Sequence, residues 1–173
     1  WIDSSHRKTK PFAEYSSVKA ITEDVDQRRT NVNKEGLVVY AEGNPLTLYH
    51  GTPNDVEFGS LESGHVRDGE ETPARFNGNG ISFTPDRTVA VEYATSGDGE
   101  GKVFSVNVIL KKPYFTVGVA NFSPEEAAAF TDGLIAKGHD GIINYASKIM
   151  REYGALPNEV IVFDMNGVRQ TGD

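Results

Sequence analysis

Short runs of β-forming residues recur along the second part of this chain, and they constrain its fold more than any other feature. Runs of about four to eight residues rich in Val, Ile, Thr and Phe, bounded by turn residues, are typical of strands. Glycine-containing loops separate such runs here. The sequence therefore predicts a sheet-based core, with strands over 37–40, 46–50, 80–84, 103–110 and 160–163.

Two helices are indicated among these strands. Thr84 and Pro85 offer an N-cap and a proline at the first helical position. Ser123 and Glu126 form the pattern of a capping box before an alanine-rich stretch, and that helix is expected to end near 137–138 at a glycine. The sequence therefore predicts at least two helices beside the sheet.

The length of 173 residues suits one compact domain and is too short for two ordinary ones. Residues 1–36 are polar, but their apolar side chains recur every three or four positions, which is typical of a helix with one packed face. We therefore expect a helical N-terminal extension over 1–36 and the domain itself over 37–173. Whether the extension gates the domain stays an open question.

The composition of the chain excludes several kinds of chemistry. The chain has 25 acidic and 17 basic residues and a net charge of −8, which argues against non-specific attraction to phosphate backbones. It has no cysteine, so disulfides and thiolate chemistry are excluded, and its four histidines are too far apart to form a metal-site motif. No metal is therefore expected, and the compartment stays open.

No stretch approaches the roughly 20 consecutive apolar residues of a membrane helix, and the N-terminus lacks a signal-peptide pattern. A soluble protein without a membrane partner is expected. The first residue, Trp1, is not a methionine, which suggests a piece of a longer or processed chain.

Three short motifs carry candidate chemistry, and their order matters more than any one of them. A histidine at a strand end and a carboxylate at a strand start are each usually structural. Here a strand ending in His-Gly is followed by a long loop, a glycine-flanked strand with serine, a helix with tyrosine, and a strand opening with glutamate. The segment 77–80 before the second strand is interpreted as a hinge. The motifs are Leu48–Thr52, Gly80–Thr84 with Tyr93 on the next helix, and Asn158–Phe163.

In this order the motifs resemble the ADP-ribosyltransferase superfamily, on its histidine-containing side with diphtheria toxin and the poly(ADP-ribose) polymerases. The chain looks closest to the ADP-ribosyltransferase domains of phage and mobile-element polyvalent proteins, which carry segments like Gly138–Ile142 and a closing Val-Phe-Asp. The resemblance covers about residues 37–168. It implies an α+β fold with a split β-sheet core, flanking helices and an NAD cleft, and makes 37–173 the catalytic domain.

The resemblance also implies roles for individual residues, with NAD as the substrate. His50 would bond the adenosine ribose, and the backbone of Gly51 would hold the nicotinamide carboxamide with the hydroxyl of Thr52 nearby. Nicotinamide in NAD is a planar cation, so the ring of Tyr93 would gain stacking and cation–π attraction. Two further residues of the second motif are expected to line the NAD site, Gly80 and Ser82.

Glu159 would supply the catalysis, together with His50. A carboxylate hydrogen-bonded to the ribose hydroxyl stabilises the oxocarbenium charge that develops when the nicotinamide–ribose bond breaks. Three positions depart from the family pattern. Ser82 stands where polymerase-like members have tyrosine, Pro157 stands where arginine-modifying members have a second acid, and Ala90 stands where a serine often contacts nicotinamide. The expected site is a His-Ser-Glu combination.

The favoured function is mono-ADP-ribosyl transfer from NAD to a macromolecular acceptor. Protein is the favoured acceptor and nucleic acid stays open, as does the oligomeric state. Two alternatives are NAD hydrolysis by the same site, and a non-catalytic phage or mobile-element binding module with the same fold. The expected place of action is a bacterial or host cytoplasm, with delivery in a virion or secretion within a longer chain as further options.

Overall fold

The described part of the chain forms two small sheets with helices beside them. A computed structural model of the chain describes residues 31–40, 42–53, 55–61, 77–97, 101–152 and 154–172. Within these residues the strands are β1 (Leu48–Thr52), β2 (Ile81–Phe83), β3 (Lys102–Val108), β4 (Pro113–Val117), β5 (Gly141–Tyr145), β6 (Glu159–Val162) and β7 (Val168–Gln170). The helices are α1 (Arg87–Ala94), α2 (Pro124–Ala136) and α3 (Lys148–Glu152), with a short 3₁₀ turn at Phe58–Ser60.

The first sheet has the order β1-β3-β7 and is antiparallel, and the second has the order β2-β6-β5-β4. In the second sheet β4 and β5 run parallel, while the other pairs are antiparallel. A bridge between Tyr49 and Thr84 joins the two sheets, with N–H···O distances of 2.7 and 2.9 Å between their backbones. The residue that follows β2 is thereby held near the start of β1.

The main core is built from residues of both sheets. Alternate side chains of a strand point to the same face, so every second residue contributes to it. The fully buried members include Leu48, Phe83, Val106, Ile143 and Val160. This packing confirms the α+β, split-sheet fold expected from the resemblance.

Each sheet also carries a helix on its other face. The intervening residues of β5 and β6, Ile142 and Ile161, form a second cluster with Leu134 of α2. Helix α1 lies against β1, and its buried residues are two alanines, Ala90 and Ala94. No helix in the described part of the chain is long and apolar enough to cross a membrane.

The predicted capping box is confirmed, and the predicted start of α1 is wrong. Ser123 accepts a hydrogen bond from the backbone of Glu126, whose side chain bonds back to Ser123, and α2 ends at Ala136. Helix α1 begins two residues later than expected, because the backbone of Thr84 is used by the bridge to Tyr49. Asp86 caps it instead, and its side chain accepts from the Thr88 N–H at 2.8 Å.

Other strand predictions need smaller corrections. The run 37–40 forms isolated bridges, such as Leu37 with Ile109, instead of a continuous strand. The run 46–50 becomes a strand two residues further along, so that β1 continues through Gly51 and Thr52 and does not leave the sheet at His50. Strands β4, β5 and β7 and helix α3 were not predicted.

Residues 1–30 of the predicted helical extension lie outside the described residues. Its last six residues, 31–36, form a turn that packs against the domain. The side chain of Asn31 is buried, and its Oδ1 accepts a hydrogen bond from the Tyr145 hydroxyl at 2.8 Å. The described end of the extension is therefore in direct contact with the second sheet.

Candidate active site

Three residues from the three sequence motifs meet at one place. His50 lies on β1, Ser82 on β2 and Glu159 at the start of β6. The Nδ1 of His50 donates to the backbone carbonyl of Ser82 at 2.8 Å, and the Ser82 hydroxyl donates to Oε1 of Glu159. Ser82 thus links the histidine and the carboxylate, although these are more than one hundred positions apart in the chain.

Strand register explains why Ser82 can reach Glu159. Ser82 pairs with Ile161, and Glu159 is two residues before Ile161 on the same face of β6. Phe83 and Val160 point to the opposite face, into the main core. Ser82 is exposed and Glu159 is partly buried, so the pair lies at the surface of the sheet, where a ligand has access.

Burial keeps His50 neutral. Desolvation lowers the pKa of His50 below its ordinary value, and the hydrogen bond to the Ser82 carbonyl opposes this only in part. The ring also packs on Phe83, with 5.6 Å between the ring centroids. A carbonyl only accepts, so Nδ1 carries the proton and Nε2 of the neutral ring is a hydrogen-bond acceptor.

Both oxygens of Glu159 have a donor. Oε1 accepts from Ser82, and Oε2 accepts from Nδ2 of Asn77 at 2.7 Å. A carboxylate has about four lone-pair positions, so each oxygen keeps capacity for one more donor. The carboxylate is therefore held in place and can still accept a hydrogen bond from a bound hydroxyl.

Gly51 sits where only glycine fits. A Cβ built at this position would lie 1.8 Å from the carbonyl oxygen of Ala90, because α1 touches the backbone of β1. Strand β1 is the edge of its sheet, and Tyr49 turns its backbone N–H and carbonyl toward Thr84. Backbone groups two residues apart point the same way. The N–H and carbonyl of Gly51 therefore face the gap beside β2.

Three other predicted site residues, Thr52, Gly80 and Tyr93, differ from one another in burial and packing. Thr52 is buried at the end of β1. Gly80 precedes β2, and a Cβ there would lie 2.5 Å from the Ile161 side chain, so close packing of β2 on β6 accounts for this glycine. Tyr93 is 58% exposed on α1 and is not part of the core.

A comparison with known families identifies the domain to which these residues belong. The model of the family described as ADP-ribosyltransferase in polyvalent proteins matches residues 41–171, about three quarters of the chain. The chain belongs to this family. No curated protein matches the chain significantly.

Sequence reasoning missed one residue of this ADP-ribosyltransferase domain's candidate site, Asn77. It lies in the segment 77–80, for which the sequence predicts only a hinge. The available signal was an asparagine next to a glycine just before a candidate site strand, a weak pattern on its own. Its partner Glu159 is 82 positions away, so the contact is visible only in three dimensions.

A cavity of about 310 Å³ lies elsewhere in the domain, near the end of β6 opposite to Glu159. It includes two cationic and two acidic side chains beside Val162, and none of His50, Ser82 and Glu159 lines it. The charged side chains are Lys111, Asp140, Asp164 and Arg169. The candidate active site is thus a surface between the sheets and is separate from this cavity.

Proposed function

We propose that the chain is a mono-ADP-ribosyltransferase that cleaves NAD at the nicotinamide–ribose bond and transfers ADP-ribose to a macromolecular acceptor, with protein as the favoured class. Membership of the ADP-ribosyltransferase family supports the reaction class. The observation that carries the proposal is the hydrogen-bonded connection from His50 through Ser82 to Glu159.

Glu159 is the group we assign to the chemical step. When the bond from ribose C1′ to the nicotinamide nitrogen breaks, its electron pair leaves with nicotinamide and positive charge develops on the ribose. A fixed carboxylate that accepts a hydrogen bond from a ribose hydroxyl stabilises this charge. The acceptor then forms a bond to C1′ and loses its proton, which Glu159 is placed to take as general base.

His50 and Gly51 are assigned to binding. Neutral His50 offers Nε2 as an acceptor for a hydroxyl of the adenosine ribose, which suits its lowered pKa. The Gly51 N–H and carbonyl face the gap between the sheets and match the acceptor and donor of a carboxamide. Thr52 lies beside them on the same strand, and Gly80 and Ser82 border the site from β2.

Tyr93 is assigned to the nicotinamide ring. Its exposure leaves an aromatic face available to a planar cation, and Ser82 replaces the second aromatic residue that polymerase-like relatives have. Attraction between a cation and an aromatic face contributes about 0.5 to 2 kcal/mol, depending on desolvation. We therefore assign Tyr93 a contribution to affinity and none to the bond-breaking step.

The test is nicotinamide release from NAD by the purified chain and by Glu159→Gln. This change keeps the shape of the side chain and removes its charge, and we expect kcat to fall by about 10²- to 10³-fold. Glu125→Gln is the matched control, because Glu125 is exposed in the first turn of α2. Equal turnover by Glu159→Gln and wild type would contradict the assignment of Glu159.

Labelled NAD distinguishes transfer from hydrolysis. Incubation with cell lysate should place the label on a macromolecule, and protease or nuclease treatment then identifies the acceptor class. Release of free ADP-ribose in equal amounts with and without acceptor would instead establish a glycohydrolase. If the chain neither binds NAD nor releases nicotinamide, the result would favour the non-catalytic binding module.

A further inference from the structure

Asn77 holds the second oxygen of the carboxylate that we assign to the chemical step. Its Nδ2 donates to Oε2 of Glu159 at 2.7 Å, and Asn77 is only 8% exposed. Hydrogen bonds to ionised groups are stronger than those between neutral groups. A buried amide in contact with a carboxylate is therefore expected to have a fixed geometry.

The backbone around Asn77 is itself anchored. Gly78 has a φ of +130°, which L side chains rarely adopt, and a Cβ there would lie 3.0 Å from Cδ1 of Ile142. The N–H of Asn79 donates to the Thr131 hydroxyl of α2 at 2.8 Å, and this hydroxyl donates to the Asn79 carbonyl at 3.1 Å. The segment that carries Asn77 is thus anchored to α2 as well as to the second sheet.

We propose that Asn77 is a positioning residue for Glu159; this inference rests on the proposed NAD cleavage. The last torsion of a glutamate side chain is broad, so one hydrogen bond does not fix the plane of its carboxyl group. Ser82 bonds one oxygen and Asn77 the other, and the two donors together fix that plane. Asn77 orients the carboxylate toward the ribose without touching the substrate.

The first test replaces the amide with an apolar side chain of similar size, Asn77→Leu. We expect kcat for nicotinamide release to fall by roughly 10- to 100-fold while KM for NAD changes less than about twofold, because orientation is lost and binding groups remain. Asn107→Leu is the matched control: Asn107 also donates from Nδ2 to an oxygen, the Leu46 carbonyl at 3.1 Å, but on β3.

Asn107→Leu should have a lower Tm than wild type and the same kcat per folded molecule. A kcat loss that is equal in both variants, once corrected for the folded fraction, would overturn the positioning role.

A second variant tests the positioning role through the pH dependence of kcat, which a purely structural role of Asn77 would leave unchanged. Asn77→Asp places a carboxylate beside that of Glu159, and two carboxylates at this distance share a proton when the pH is low. The shared proton restores a donor to Glu159, so the ratio of variant to wild-type kcat should rise as pH falls. The ratio cancels the effect of His50, which is the same in both proteins. A ratio that is constant with pH would contradict the proposal.

The contact can also be measured without substrate. In the NMR spectrum the side-chain amide protons of Asn77 should shift upfield in Glu159→Gln, because the charged acceptor is lost, while those of Asn107 should not move. An unchanged Asn77 signal would overturn the inference even in an active enzyme. If the signal moves but the wild type releases no nicotinamide, the proposed function fails and the positioning role with it, while the contact stands.

Discussion

The two sides of the proposed site are built from different kinds of groups. On the side of the first sheet, β1 and α1 offer a neutral imidazole, a backbone N–H and carbonyl, and an exposed phenol ring (His50, Gly51 and Tyr93). On the side of the second sheet, Ser82 and Asn77 hold a carboxylate between them. The first side is suited to hold an uncharged or cationic group, and the second to respond to charge that develops during reaction.

This difference predicts a separation in kinetics. Interactions that are equal in the ground state and the transition state change KM, whereas interactions that strengthen in the transition state change kcat. Substitutions on the side of the second sheet should therefore act mainly on kcat, and those on the side of the first sheet mainly on KM for NAD.

After Glu159→Gln, a large effect of this kind is expected for Ser82→Ala. This change removes the donor to Oε1 of Glu159, and a hydrogen bond to a charged group contributes about 1.5 to 3 kcal/mol, so kcat should fall by roughly 10- to 100-fold. Ser82→Thr keeps the hydroxyl and should retain most of the activity. A rise in KM at constant kcat in Ser82→Ala would instead assign Ser82 to binding.

An intermediate effect is expected from protonation of His50. Burial holds the pKa of His50 below its ordinary value of about 6.5, so Nε2 stays an acceptor at neutral pH. The KM for NAD should be constant above pH about 6.5 and rise by up to about tenfold per pH unit once the pH is below the lowered pKa. Nicotinamide release measured from neutral to acidic pH gives this profile.

Protonation of His50 should also lower the free energy of unfolding at acidic pH. The folded-state pKa of His50 lies below the unfolded one, so its contribution is present above pH about 6.5 and is lost as the pH falls through the lowered value. His50→Gln should remove both pH dependences. His139→Gln is the control. The Nδ1 of His139 also bonds a backbone carbonyl, that of Lys112 at 3.0 Å, but His139 lies before the start of β5, away from Glu159, which pairs with Asn144 near the end of that strand. The same flattening in both variants would rule out His50 as the origin.

The smallest effect is expected for Tyr93→Ala. Loss of a cation–π contact of about 0.5 to 2 kcal/mol should raise KM for NAD by roughly 2- to 30-fold with little change in kcat. Tyr93→Phe keeps the aromatic face and should behave like wild type. Tyr40→Ala is a control at another exposed tyrosine. A KM for NAD that does not change in Tyr93→Ala would remove this ring from the nicotinamide site.

Local signals predicted much of the fold. The capping box of Ser123 and Glu126 specifies the start of α2 through contacts within one turn. The run 103–110 predicts β3 from its alternating sequence pattern, and the burial of the strand alternates in the same way. Both of these signals depend only on near neighbours in the sequence. The proposal of Ser82 and Glu159 as site residues rests instead on the order of three motifs along the chain and on the resemblance to the ADP-ribosyltransferase superfamily.

Long-range contacts decided what could not be predicted. Strand β5 is buried along its whole length and shows no alternation, so its sequence does not distinguish a strand from other buried segments. Strand β4 opens with a proline and pairs with β5 in parallel across α2. The start of α1 moved to Asp86 because Thr84 pairs with Tyr49, 35 positions earlier in the chain. None of these causes is visible within a short window of sequence.

The bridge between Tyr49 and Thr84 has a consequence for protein engineering. It joins the two sheets through backbone atoms alone, so ordinary side-chain replacements at 49 and 84 leave its hydrogen bonds in place. Proline is the exception, because it has no N–H to donate. A library that varies these two positions without proline would therefore change the side chains at this junction while the alignment of the two sheets is preserved.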